Sequence, residues 1–176
     1  MTRLILVRHG HVEWLTPERF RGHAELPLSD LGRRQAQAVA GYIAATWQPE
    51  AVYTSPLGRC RETAAAIAAL LHLEPQPVDG LVDIDYGEWQ GLTRQQAKER
   101  WPDETELWFR APHLAAIPGG ETLAAVLSRT CKMCCGIILT RRSCSSVTTA
   151  STECCFSSPW SFRCRATGTC AKTPAA

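Results

Sequence analysis

The chain has 176 residues, enough for one domain with a sizeable buried core. Its formal charge is +2 with no basic run, which argues against a nucleic-acid partner or an anionic membrane surface. The apolar start is too short for a signal-peptide core and no stretch reaches transmembrane length, so a soluble cytoplasmic protein is expected.

From the N-terminus, the apolar run Leu4 to Val7 reads as a short buried strand that delivers Arg8, His9 and Gly10 at its end. Pro27-Leu28-Ser29-Asp30 forms a turn, with Ser29 or Asp30 as N-cap of an alanine-rich helix from Leu31 to about Thr46. Ala51 to Thr54 reads as a second strand, and Ser55-Pro56 opens a helix running to about Leu71. Pro75 to Pro77 breaks the chain before an apolar start at Val78. A looser segment, Asp83 to Gly91, leads into a helix over Thr93 to Arg100. Thr122 is then available to cap a further helix after Pro118-Gly119-Gly120-Glu121. Strands alternating with helices predict an α/β fold with a parallel sheet covered on both faces. After Arg129 this alternation stops.

The cysteines are unevenly placed. Of nine, only Cys60 precedes residue 131; Cys131, Cys134, Cys135, Cys144, Cys154, Cys155, Cys164 and Cys170 crowd the end. No export signal supports disulfides. The segment has no histidine, and adjacent pairs such as Cys134-Cys135 and Cys154-Cys155 do not match the Cys-x-x-Cys pairs of structural zinc sites. No metal and no cofactor are expected.

Arg8 and His9 carry the chemistry most worth pursuing. Open α/β sheets place ligand sites at the C-terminal ends of their strands. A neutral imidazole can attack phosphorus, and a neighbouring guanidinium can hold phosphate oxygens in a bidentate fork. Alone, Arg-His-Gly also fits a hydrogen-bonded loop histidine.

Further segments line up with it. Arg8-His9-Gly10, then Arg19-Phe20-Arg21-Gly22 with Pro27-Leu28-Ser29, Gly32 and Gln35-Ala36, then Thr54-Ser55-Pro56-Leu57-Gly58-Arg59-Cys60 with Glu62-Thr63-Ala64 occur in order. Leu81 to Gly91 and Pro118-Gly119-Gly120-Glu121-Thr122 complete the series. In order and spacing these blocks resemble the histidine phosphatase superfamily, the group that includes phosphoglycerate mutases, over about residues 3 to 130. The resemblance implies a three-layer α/β/α sandwich with a mostly parallel central sheet, its C-terminal part incomplete here. It implies His9 as the nucleophile that becomes a phosphohistidine, with Arg8 and Arg59 clamping the phosphate. Arg19 and Arg21 could reach the substrate from a loop, and the family pattern favours Arg19 over Arg21. His11 and His23 read as surface histidines near the pocket mouth.

Three departures stand out. The family commonly has Glu where this chain has Asp83, which would protonate the leaving alcohol with one methylene less reach; Asp85 and Glu88 are fallbacks. Val12 replaces the Thr or Ser often found after the signature. The family also has a second catalytic histidine near the C-terminus, and no histidine follows His113.

The end of the chain permits a test. When residues 131 to 175 are back-translated and each codon is read from one base earlier, Ser146 to Glu153 permit Val-Gly-His-Asp-Ser-Val-Asn-Arg. Cys154, Cys155 and Phe156 permit Val-Leu-Leu, and a leucine-rich stretch follows Trp160. An apolar strand, Gly-His and a helix then fall in the order the family expects. Repeated Cys becomes Val or Leu. A frameshift between about Glu121 and Cys131 is therefore expected, dividing the chain into an incomplete phosphatase core over 1–130 and an out-of-frame Cys/Ser/Thr-rich tail over 131–176. The expected activity is that of a phosphomonoester phosphatase acting on a small phosphorylated metabolite, impaired by loss of the second histidine. Phosphoglycerate mutase-type transfer and a non-catalytic remnant are the alternatives. Substrate selectivity is expected in loops across Arg94 to Ile117.

Overall fold

The computed structural model describes residues 4–141. The chain divides into two compact units, Met1–Thr130 and Cys131–Ala176. The account below concerns the first.

A βαβ unit forms its centre. Strand β1 (Val52–Thr54) leads into helix α2 (Gly58–Leu71), and β2 (Pro75–Pro77) returns parallel to β1, with Val52 opposite Pro75 and Thr54 opposite Pro77. The expected chain break at Pro75 to Pro77 is thus a strand. The prolines are tolerated because parallel pairing uses alternate amides: Val78 N–H donates to the Thr54 carbonyl at 2.8 Å, while the proline nitrogens fall on positions that face the other edge. The fold is mixed α/β with a parallel sheet, of two strands among the described residues.

Helix α1 (Asp30–Thr46) begins as expected. The Ser29 hydroxyl accepts the Gly32 amide at 3.1 Å, and Asp30 places a carboxylate in the first turn, where the helix dipole favours it. Ala36, Ala40 and Ile43 recur at helical spacing and form its buried stripe. Ala40 and Ile43 pack against Ile67 of α2, with Trp47, Val52 and Leu71 around them. Each fully buried large aliphatic side chain here contributes about 1.5–3 kcal/mol.

A second core gathers around Trp89, which is fully buried with Ile84, Ala97 and Ile117; Phe20, Tyr86, Trp101 and Trp108 pack against it. The segment expected to be loose, Asp83 to Gly91, is organised by a 3-10 turn at Gly87–Trp89. Gly87 has φ +45, and a Cβ there would overlap the Pro118 carbonyl and Gly119. Helix α3 (Arg94–Arg100) starts with a capping box between Thr93 and Gln96. Helix α4 (Pro102–Arg110) corrects the expectation of loops across Arg94 to Ile117. Its start signals are Pro102 in the first turn followed by Asp103 and Glu104. Helix α5 (Leu123–Arg141) opens with the Thr122 hydroxyl accepting the Ala125 amide at 3.2 Å. It runs on to Arg141, past the point after which no further strand–helix alternation was expected. Among the described residues no helix is long and apolar enough to cross a membrane.

The N-terminal run departs most from expectation. Leu4 to Val7 is not a strand, and Leu4, Leu6 and Val7 are 61%, 90% and 40% exposed. An apolar run becomes a buried strand only when neighbours supply a ladder and a covered face, and no described strand pairs with it. The segment is seated at Gly10, whose backbone lies so close to Gly32 that a Cβ on either would overlap the other segment's backbone. Gly32→Ala tests this seating. Alanine is favoured in a helix by about 1 kcal/mol, yet we expect overlap with the His11 carbonyl to outweigh that and destabilise by ~1–3 kcal/mol. Thermal unfolding followed by circular dichroism would read it, and an unchanged or raised Tm would contradict the contact.

Candidate active site

The segment carrying His9 is fixed by contacts on its C-terminal side. Gly10 N–H donates to Thr63 Oγ1 of α2 at 3.2 Å, and His11 N–H donates to Gln35 Oε1 of α1 at 2.8 Å. Val12 is fully buried and bridges to Leu28. The His11 ring meets Ser29 Oγ at 2.8 Å, so it is tied to the α1 cap.

His9 itself is half-buried. Its Nδ1 lies 2.7 Å from the Gly10 carbonyl, which can only accept, so the neutral ring carries its proton on Nδ1 and a lone pair on Nε2. Burial holds its pKa below the ordinary 6.5, and the charges of Arg59, Arg8 and Arg21 act in the same direction, opposed by the Gly10 hydrogen bond. Burial and these charges together favour the free base of the imidazole. That combination suits attack on a phosphorylated group, whose oxygens the cations attract and whose phosphorus the lone pair meets.

Arg59 stands in the first turn of α2 and is only 1% exposed. Nη1 donates to the Ala24 carbonyl at 2.8 Å; Nη2 donates to the Gly22 carbonyl at 2.8 Å and to Asp83 Oδ2 at 3.3 Å. Three of its five N–H groups are thus engaged, and Nε has no hydrogen-bond partner. Thr63 Oγ1 donates to the Arg59 carbonyl at 2.8 Å while accepting from Gly10, so one threonine links the arginine's turn to the histidine's segment.

Asp83 therefore lies on Arg59, its other oxygen accepting the Ile84 amide at 2.9 Å. His23 Nε2 donates to the Asp83 carbonyl at 2.9 Å, and its Nδ1 is 3.9 Å from Asp85. Asp85 is occupied in accepting the Gly87 amide at 2.8 Å, and Glu88 is exposed. The two loop arginines separate. Arg19 donates to the Gly91 carbonyl at 2.8 Å and its backbone bridges to Thr93, whereas Arg21 is among the charges acting on His9.

Thr63 and Gln35 lie within the motif blocks but were given no role, and Arg129 was not singled out. Thr63 stands four residues after Arg59, one helical turn on, which is a usable signal. Nothing local marks Arg129. Among the described residues no group of three or more His, Cys, Asp or Glu is arranged to hold a metal ion. A groove of about 330 Å³ between α3 and α4, lined by Arg94, Lys98, Thr105, Phe109 and Arg110 among others, includes none of the residues around His9.

Comparison with known proteins bears on this arrangement. The chain is 36% identical over 129 residues to phosphoserine phosphatase 1 of Hydrogenobacter thermophilus, covering 73% of this chain and 61% of that protein. Bacillus stearothermophilus YhfR has a similar structure, with TM-score 0.72 at 28% identity over 77% of this chain and 67% of its own. Mycobacterial glucosyl-3-phosphoglycerate phosphatase gives TM-score 0.69 at 29% identity over 75% of this chain and 61% of its own. The chain thus spans less than two thirds of the phosphoserine phosphatase it resembles. The family model for branch 1 of the histidine phosphatases matches residues 4–145. The chain belongs to the histidine phosphatase superfamily, branch 1.

Proposed function

We propose that the chain carries the core of a phosphomonoester phosphatase that works through a phosphohistidine on His9. The observation that carries this is the neutral, half-buried imidazole whose Nδ1 is held by Gly10 and which faces the charges of Arg59, Arg8 and Arg21. In the first half-reaction the Nε2 lone pair forms a P–N bond and the ester P–O bond breaks. The Asp83 carboxyl gives a proton to the leaving oxygen, and the arginines balance charge on the phosphoryl oxygens. Water then cleaves the P–N bond and returns phosphate. Arg19, committed to Gly91, acts on the loop more than on substrate. The substrate is a small phosphorylated metabolite, a reading supported by the phosphoserine and glucosyl-3-phosphoglycerate phosphatases among its relatives.

The same reading makes the second half-reaction slow. No histidine follows His113, and the residues past about 130 are taken as out of frame. Most of that segment lies outside the described residues. Resequencing the coding DNA across Glu121 to Cys131 tests the frame, and peptides from the Cys-rich segment encoded by an uninterrupted frame would refute it. Turnover of p-nitrophenyl phosphate is expected to be much faster in a frame-restored version; equal activity would mean the missing histidine does not matter.

Mixing the chain with radiolabelled O-phosphoserine and quenching with base should trap one phosphate per chain on His9, and none in His9→Asn. Labelling that survives the substitution would overturn the assignment. The same histidine predicts the pH response. Because its pKa is lowered, the free base persists below pH 6.5, and phosphoenzyme formation should fall off only at more acidic pH. NMR titration of the His9 ring should give a midpoint below 6.5 that rises in Arg8→Gln. A midpoint at or above 6.5 in the unsubstituted chain would count against the arrangement.

A further inference from the structure

We propose that Glu121 and Arg129 form a positioning clamp that sets the place of Asp83; the inference rests on the reading of Asp83 as proton donor. Every N–H of the Arg129 guanidinium has an acceptor. Nε donates to Glu121 Oε1 at 3.1 Å, and Nη2 donates to Glu121 Oε2 at 2.9 Å and to the Asp83 carbonyl at 3.1 Å. Nη1 donates to the carbonyls of Gly80 at 3.0 Å and Val82 at 2.7 Å.

Glu121 holds the other side of the same loop. Its Oε2 accepts the Asp85 amide at 3.1 Å, and its own amide donates to the Asp85 carbonyl at 2.9 Å. The ion pair therefore grips the backbone at residues 80, 82, 83 and 85, flanking the carboxylate on both sides. Neither partner is wide open to solvent, with side chains 24% and 27% exposed. Hydrogen bonds from Arg129 hold the Glu121 carboxyl below its usual pKa despite partial burial, so the pair stays charged. The fork matters: a planar guanidinium can serve one carboxylate and three carbonyls together, which an ammonium cannot.

A loop bearing an aspartate needs such a device. A glutamate can reach with an extra methylene, whereas Asp83 must be carried to its target by its backbone. Proton transfer requires hydrogen-bond distance, and a misplacement of about 1 Å costs on the order of 10²-fold in rate.

The test compares two leaving groups in single-turnover phosphoryl transfer to His9 by the full chain. Serine is a poor leaving group that needs a proton, whereas p-nitrophenolate departs without one. Asp83→Asn should slow transfer from O-phosphoserine far more than transfer from p-nitrophenyl phosphate. Arg129→Lys, which keeps the charge and loses the fork, and Glu121→Gln, which keeps the shape, should show the same bias. The expected loss is on the order of 10²-fold with phosphoserine for Arg129→Lys. If Asp83→Asn is biased while both clamp variants slow the two substrates equally, or neither, the clamp is refuted and the acid stands. If Asp83→Asn itself shows no bias, the proton-donor reading falls and the clamp's role falls with it.

Discussion

Burying the Arg59 guanidinium obliges the surrounding chain to take particular positions. An unpaired charge removed from water costs several kcal/mol, so acceptors must be brought to it. They come from the 22–24 loop, through the Gly22 and Ala24 carbonyls, and from Asp83 on another loop. At those points Arg59 ties the 22–24 loop through two carbonyls, and it shares the hold on the Asp83 loop with Arg129. Because Arg59 sits in the first turn of α2, the helix that packs on α1 also determines where both loops meet.

The arrangement couples packing to chemistry. Thr63 accepts from Gly10 and donates to the Arg59 carbonyl, so the His9 segment and the buried cation share a helical turn. Backbone contact between Gly10 and Gly32 seats that segment on α1, where a side chain on either residue would hold the two apart. Burial first, and then the charges of Arg59, Arg8 and Arg21, favour the neutral form of the imidazole. Under the proposed reaction the same charges would also attract the phosphoryl oxygens.

Much of this was legible in the chain. Ser29, Thr93 and Thr122 act at helix starts because their short hydroxyl side chains accept the amide three residues on, a local interaction that sequence reports directly. The Ala36, Ala40 and Ile43 stripe is equally local. Strands were harder. Leu4 to Val7 has strand composition without a described partner, and Pro75 to Pro77 has breaker composition yet pairs, because the outcome depends on which edge each amide faces.

The sequence by itself determined the residue types of the site: His9, Arg8, Arg59 and Asp83 in motif order, with the helix starts that present them. Only tertiary structure decided how those residues are used. Arg19 and Arg21 stand two positions apart and look interchangeable, yet Arg19 donates to the Gly91 carbonyl and Arg21 to the Trp14 carbonyl. Glu121 and Arg129 are eight residues apart, and no local rule joins them to Asp83. The reason is physical. Hydrogen bonds within a helical turn are set by neighbours in the chain, whereas the acceptors of a buried guanidinium are chosen by which distant backbone the packing brings within 3 Å or so.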